Sequence, residues 1–179
     1  MHFLLPARCI FPFPFHVPED PIIDLQSDQY FMSEALRQAH KAWAREEVPI
    51  GAVIVHQGRI IARAHNQVET LKDATAHAEM LAITQAESVL DDWRLTECDL
   101  YVTKEPCPMC AGAIVHVRLR RVIFGCPSPK DGAAGGVVDL LQHPKLNHQC
   151  VVTSGVMETE SAEMLRAFFR ERRQEQSAE

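Results

Sequence analysis

The first part of the chain pairs a helical hydrophobic pattern with two strand-like runs. Four apolar residues recur three or four positions apart: Met32, Leu36, Ala39 and Trp43. This spacing predicts an amphipathic helix over residues 28–46, ended by Pro49. The β-branched runs at 50–55 and 59–64 follow, joined by a short link that contains Gly58. Together these runs predict a β-hairpin.

Downstream, helical and strand patterns alternate. The predicted order is helix 77–90, strand 98–103, helix 110–118, strand 121–125, strand 150–155 and helix 159–175. Two successive strand–helix–strand units predict parallel pairing through right-handed crossovers. The fold class is therefore α/β, a three-layer α/β/α sandwich with helices on both faces of a mixed sheet.

Composition limits the chain to one compact domain without a general affinity for polyanions. The 179 residues are 46% hydrophobic, enough for one core, and the net charge of -6 lacks the basic excess of a nonspecific nucleic-acid binder. Any nucleic-acid partner must be met by a local basic patch. The six cysteines are irregularly spaced in a chain with a proper core, so we expect reduced thiols and a cytoplasmic location.

The N-terminal segment 1–27 is apolar but interrupted by prolines, and it lacks the basic start of a signal peptide. We expect a flexible Pro-rich extension, with a docked arm or a misassigned start as alternatives. No apolar run is long enough to span a membrane. The folded domain is predicted to occupy 28–175, followed by a short tail at 176–179.

One long Gly/Pro-rich loop, 126–136, follows a predicted strand, a position where ligand-contacting loops occur. It lacks the Lys-Ser or Lys-Thr ending of a phosphate-binding P-loop. On the last predicted helix, Arg166, Arg170 and Arg173 line one side. This stripe is either a solvated face or a contact for a polyanion.

Two short motifs carry the candidate chemistry. Cys107 and Cys110 form a CxxC pair at the start of a predicted helix, which places two sulfurs on one face as Zn²⁺ ligands. A thioredoxin-like redox pair has the same spacing, so the pair alone is a weak signal. His77 offers a third ligand, and no second CxxC or HxxxH completes a structural site. A three-ligand set leaves one tetrahedral position open for water, which is typical of catalytic zinc.

Glu79 lies two positions after His77, and residues two apart in a regular helix point about 200° away from each other. The two side chains can converge only if His77 lies at the helix entry. Asp73 and Thr75, just upstream, are predicted to cap that entry. In this position Glu79 could shuttle protons without ligating the metal.

The pattern H-A-E followed by P-C-x-x-C is a signature of zinc-dependent base deaminases. From about Tyr30 to Arg173 the chain resembles the bacterial tRNA-specific adenosine deaminases of the cytidine-deaminase-like superfamily. The resemblance rests on EVPIGAVIV, Asn66, DATAHAEM, LYVTKEPCPMCAGAIVH, RVIFG, KDGAAGG, LNH and FFRERRQ.

This resemblance implies a five-stranded mixed sheet, a homodimer with pockets near its interface, one Zn²⁺ per subunit, and a tRNA anticodon stem-loop as substrate. The reaction it implies is conversion of adenosine to inosine at the wobble position, with Glu79 as the acid/base. The implied zinc ligands are His77, Cys107 and Cys110. The implied substrate contacts are Ile50, Asn66, the backbone N–H of Ala78, Phe168, Phe169, Arg172 and Arg173.

The resemblance is incomplete at the loop after the fourth strand, where Ser128 stands in place of a common acidic residue. Its hydroxyl could still contact a ribose, but the charge is lost. Other roles remain open: Asn66 could stabilise a turn, and the two phenylalanines could belong to the core.

Two rival functions remain. One is deamination of a free base or nucleoside such as cytosine or guanine, and the FFRERRQ segment disfavours it. The other is a non-catalytic zinc module, which would have no use for Glu79.

Overall fold

The computed structural model describes residues 24–177, so the prediction for the N-terminal extension lies almost entirely outside the described residues. Five helices and five strands follow in the order α1 (Asp28–Trp43), β1 (Gly51–His56), β2 (Arg59–His65), α2 (Val68–Leu71), α3 (Ala78–Leu90), β3 (Cys98–Lys104), α4 (Pro108–His116), β4 (Arg121–Cys126), β5 (Val151–Ser154) and α5 (Glu158–Gln176). In the described part of the chain, no helix is both long and apolar enough to cross a membrane.

The five strands form one mixed sheet in the order β2-β1-β3-β4-β5. β1 pairs antiparallel with both β2 and β3, whereas β3, β4 and β5 pair in parallel. The predicted hairpin is confirmed, with Gln57 and Gly58 both at positive φ in its turn. The carboxyl ends of β3 and β4 therefore meet at one edge of the sheet, where ligand sites of α/β proteins form.

Helices cover both faces of the sheet, which confirms the predicted α/β/α layers. The core on one face joins α3 and α4 to apolar residues such as Ile54, Leu100 and Val122. The core on the other face joins Phe31 and Met32 of α1 to strand residues that include Tyr101 and Ile123. Since both faces are covered, the inner strands are buried at nearly every position, and most of their residues are apolar.

Several predicted boundaries were wrong. α1 ends at Trp43, before Pro49, because Glu46 adopts a positive φ and the backbone N–H of Glu47 turns back to the Ala42 carbonyl. The four-residue helix α2 was not predicted, since it is too short to show periodicity. α4 spans Pro108–His116, two residues earlier than predicted at each end.

The connection from β4 to β5 also departs from a regular strand–helix–strand unit. The described segment 127–150 contains no helix, although it joins two parallel strands. Within it, Ala134 and Asp139 form an isolated bridge. The loop is thus held by its own backbone pairing and by contacts to the end of β3.

Candidate metal centre and substrate cleft

The candidate centre forms where two helices begin beside the end of β3. His77 immediately precedes α3 and Cys107 immediately precedes α4, and both have extended backbone conformations. Pro108 occupies the first helical position after Cys107, where its missing N–H costs nothing. Cys110 lies one turn inside α4. The prediction that His77 stands at a helix entry is confirmed.

The three predicted ligands converge. The Nδ1 atom of His77 lies 3.6 Å from the Cys107 Sγ and 3.5 Å from the Cys110 Sγ. All three ligand atoms lie within 4.8 Å of one another. A tetrahedral zinc ion with ordinary bond lengths separates nitrogen and sulfur ligands by roughly 3.5 Å, so the residues present fit Zn²⁺.

The electrostatics favour metal binding by Cys107. The hydrogen bond with Cys110, and to a smaller extent the one with His77, lowers the pKa of the Cys107 thiol to about 4. A sulfur with this pKa is a thiolate at neutral pH, which is the form that binds metals. The hydrogen bond with Cys107 and burial raise the pKa of Cys110, whereas the hydrogen bond that His77 donates to the Cys107 thiolate raises the pKa of His77.

Glu79 is a buried carboxyl group in the first turn of α3, only 4% exposed. Burial raises its pKa, and the charge of His77 acts in the opposite direction. The group also interacts with the Cys110 thiol. A carboxyl group beside a three-ligand centre, but outside the ligand set, is placed to exchange protons there.

The predicted caps were wrong. Among the described residues, no side chain caps the start of α3, and Asp73 instead accepts hydrogen bonds from the backbone N–H and the hydroxyl of Thr75. This Asx turn lies upstream of the helix. It shapes the approach to His77, whose own N–H donates to the Thr75 carbonyl at 2.7 Å.

Backbone hydrogen bonds connect the segments that carry the predicted base contacts Ile50, Asn66 and Ala78 to the residues just before His77. Asn66 follows β2 and is 4% exposed, and its backbone N–H donates to the Ile50 carbonyl at 3.0 Å. The next backbone N–H, of Gln67, donates to Ala76, directly before His77. Ala78 is the first residue of α3, so its N–H has no acceptor within the helix.

A buried glutamate organises the loop at 126–136. Glu105, just after β3, accepts hydrogen bonds from the backbone N–H groups of Ser128, Ala134 and Gly136, at 2.7, 3.0 and 2.9 Å respectively. The Ser128 hydroxyl donates to Asp131, and Lys104 binds the same carboxylate at 3.0 Å. Ser128 itself is buried. Its hydroxyl is therefore already used within the loop.

The two predicted phenylalanines have different environments. Phe168 is 5% exposed and packs edge-on against Trp43, at a ring-centroid distance of 5.7 Å. Phe169 is 45% exposed. Both rings line a groove of about 540 Å³ together with Arg172 and Arg173. Phe168 thus serves mainly in packing, while Phe169 presents its ring to solvent.

The groove also contains cations that the sequence did not single out. Its remaining lining includes Arg45, after α1, and Lys72, after α2. These residues come from turns far apart in sequence, so no local pattern could assign them. A second cavity of about 660 Å³ shares Phe169 and Arg173 with this groove, and its other lining residues are Leu165, Lys130, Arg166 and Arg170.

Sequence reasoning also missed two buried carboxylates, Glu47 and Glu105. Each lies inside a motif that was noticed, but its hydrogen-bond donors come from distant segments. The only local signal was an acidic residue beside an apolar strand run, which is also typical of an ordinary solvated position.

Comparison with known proteins agrees with this geometry. Residues 25–126 match the model of the cytidine and deoxycytidylate deaminase zinc-binding region. A tRNA-specific adenosine deaminase of Bacillus subtilis (strain 168) is 52% identical over 154 residues, which cover 86% of this chain and 96% of that protein.

Solved structures of deaminases are also similar to this chain. A structure from a study of A-to-I editing by tRNA:A34 deaminases at the wobble position of transfer RNA is 48% identical. It has a TM-score of 0.74 and covers 76% of this chain and 99% of that one. A guanine deaminase from Bacillus subtilis is 35% identical, with a TM-score of 0.56 over 80% of this chain and 94% of that one.

Proposed function

The chain belongs to the tRNA-specific adenosine deaminases within the zinc-dependent cytidine and deoxycytidylate deaminase family, and we propose that it hydrolyses adenosine to inosine at wobble position 34 of tRNA. The observation that carries the proposal is a buried carboxyl group, Glu79, beside the three converging ligands His77, Cys107 and Cys110. This arrangement combines an open metal site with a proton carrier, as hydrolytic deamination requires.

The reaction adds water to C6 of adenine and releases ammonia. Zinc held by His77, Cys107 and Cys110 would supply a Lewis acid that activates water near neutral pH. Glu79 accepts a proton from the attacking water and delivers it to the ring nitrogen N1. The same carboxylate then transfers the remaining proton, from the hydroxyl group added at C6, to the departing amino group. The C6–N bond breaks as the C6 carbonyl forms, so that ammonia and inosine are the products.

The base would be held by groups around the cleft. The Asn66 amide hydrogen-bonds the purine, the Ala78 N–H points a donor at the reacting edge, and Ile50 contributes an apolar wall. Ile50 packs partly buried against the core, and Ala78 is fully buried, so both have fixed positions. A fixed pocket lowers the entropy cost of orienting the base.

The anticodon loop would lie along α5. Phe169 offers an exposed ring for stacking, and cations line both the groove and the second cavity that share this ring, including Arg172, Arg173 and Lys130. Stacking and phosphate contacts are the usual means of holding single-stranded RNA. This local basic surface explains how a chain with net charge -6 can bind a polyanion. We also expect the active form to be a homodimer.

Deamination of a free base is the second candidate, and the similarity to a guanine deaminase favours it. Small-molecule substrates would make no use of the basic and aromatic surface of α5. The two functions therefore differ in whether the flanking nucleotides are needed.

The deciding experiment incubates the zinc-loaded protein with an anticodon stem-loop bearing adenosine at position 34, and then measures inosine. Parallel reactions contain the same stem-loop with the base inside a duplex, and free adenine, guanine and cytosine. We expect inosine only in the single-stranded loop. Deamination of a free base, with none in the stem-loop, would overturn the proposal.

A further inference from the structure

Glu47 is a fully buried carboxylate, 0% exposed, with no salt bridge to Lys or Arg among residues 24–177. Burying such a group is costly unless hydrogen bonds replace its water. Three groups donate to it: the Asn66 Nδ2 at 3.2 Å, the Glu69 backbone N–H at 3.2 Å and the Thr70 backbone N–H at 2.6 Å. Burial acts to raise the pKa of Glu47, but these hydrogen bonds hold it below its ordinary value.

The contact with Asn66 settles the orientation of an amide group. An ionised carboxylate only accepts hydrogen bonds, so the amide must turn its NH₂ group toward Glu47. The carbonyl oxygen and the second amide hydrogen are then left for other partners. Without such an acceptor, the two ends of the amide could exchange places at little cost.

Backbone hydrogen bonds that do not involve Glu47 place Asn66 near the segment before His77. The backbone N–H of Asn66 donates to Ile50, and the following residue is hydrogen-bonded to Ala76, beside His77. The backbone therefore sets where the Asn66 side chain starts, and Glu47 sets which way its amide faces.

From this geometry we propose that Glu47 is a positioning residue for base recognition: it locks the Asn66 amide in the one orientation that matches the purine. This inference rests on the proposed function, in which Asn66 contacts the base. Glu47 also anchors Glu69 and Thr70, which line the basic groove beside Phe168. It thus ties the base pocket to the wall of the groove.

The test is a double-mutant cycle between Glu47→Gln and Asn66→Ala, with the adenosine-34 stem-loop as substrate. A glutamine has one acceptor oxygen instead of two and carries no charge, so it cannot accept hydrogen bonds from Asn66, Glu69 and Thr70 together. The Asn66 amide then loses its fixed orientation and can offer the purine the wrong hydrogen-bonding groups. We expect kcat/KM to fall roughly tenfold to a hundredfold in Glu47→Gln, with zinc content unchanged. In the Asn66→Ala background, adding Glu47→Gln should change kcat/KM by less than about twofold.

The control is Glu34→Gln, which removes a second largely buried carboxylate, in α1. It should leave kcat/KM unchanged even if the melting temperature falls. If Glu47→Gln does not fold, Glu47→Asp keeps the charge but shortens its reach, and it should show the same non-additivity with Asn66→Ala.

The outcomes distinguish a failure of the positioning role of Glu47 from a failure of the proposed function. Additive losses from the two substitutions would overturn the positioning role of Glu47 while leaving the deaminase assignment intact. An unchanged kcat/KM in Glu47→Gln would overturn it as well. An active Asn66→Ala enzyme would instead remove Asn66 from base recognition, and with it the premise on which this inference rests.

Discussion

The Sγ atom of Cys110 lies 3.5 Å from the Nδ1 atom of His77, although 33 residues separate them in sequence. His77 immediately precedes α3 and Cys110 lies in the first turn of α4, and the two helices pack on the same face of the sheet. The fold therefore brings ligands from two distant motifs to a spacing that one zinc ion can span.

We predict that Glu79→Gln retains zinc but loses turnover. Glutamine keeps the size of the side chain and cannot take up a proton, so the loss should be on the order of a hundredfold to ten-thousandfold in kcat. Inosine formation and zinc content, measured on the same preparation, check this result. An active Glu79→Gln enzyme would show that another group carries the proton.

Replacing a metal ligand should differ from Glu79→Gln in zinc content. Cys110→Ser is expected to lose zinc and activity together, because a serine hydroxyl is a poor zinc ligand. Cys126→Ser is the matched control: Cys126 is also buried, but it is not one of the three converging ligands, and its sulfur donates to the Thr103 carbonyl, a hydrogen bond that serine can make. Equal zinc loss in both variants would mean that the loss reflects damaged folding.

The hydrogen bonds between Glu105 and the loop at 126–136 predict different effects for two glycine substitutions. A Cβ added at Gly132 would overlap the Glu105 carboxylate, which three backbone amides hold in place. Gly132→Ala should therefore destabilise the fold by about 1–3 kcal/mol and weaken stem-loop binding. In the part of the chain that the structure describes, no atom outside the chain neighbours and backbone of α4 lies within 4 Å of a Cβ added at Gly112. Gly112→Ala should therefore stabilise the fold by up to about 1 kcal/mol. Thermal unfolding of both variants tests this contrast.

Salt dependence reports on the basic surface of α5. Arg173→Gln should weaken stem-loop binding and reduce the slope of log K against log salt concentration by roughly 0.7, the value for one contact to single-stranded RNA. Arg94→Gln is the control, because Arg94 precedes β3 at the end of the sheet opposite the cleft. Identical slopes for wild type and Arg173→Gln would place the RNA elsewhere.

Asp28 predicts a pH dependence of stability. Burial opposes its ionisation, but hydrogen bonds from Arg121 and Tyr101 hold the pKa of Asp28 below its ordinary value. Because the folded pKa is depressed, the stabilisation is present above about pH 4 and is lost as pH falls through the folded pKa. Asp28→Asn should lower stability by about 1 kcal/mol at pH 7, with a smaller difference at pH 3. A gap between variant and wild type that does not shrink with acid would contradict this account.

The sequence by itself determined the parts of this protein that depend on neighbours along the chain. Helical and strand periodicity located the main elements, and the spacing of His77 and Glu79 required a helix entry between them, which α3 provides. Periodicity could not detect α2 or the early end of α1, because each of these features spans only about one turn of the chain. The metal ligands were found because their chemistry is concentrated in two short motifs.

Only the tertiary structure decided which distant residues meet. The pairing of β1 with β2 brings Glu47, before β1, to Asn66, after β2, and the pairing of β3 with β4 brings Glu105 to the loop that follows β4. It also separated Phe168, packed on Trp43, from the exposed Phe169. A hydrogen bond between segments twenty residues apart leaves no trace in local periodicity, because its geometry is set by the packing of the whole sheet.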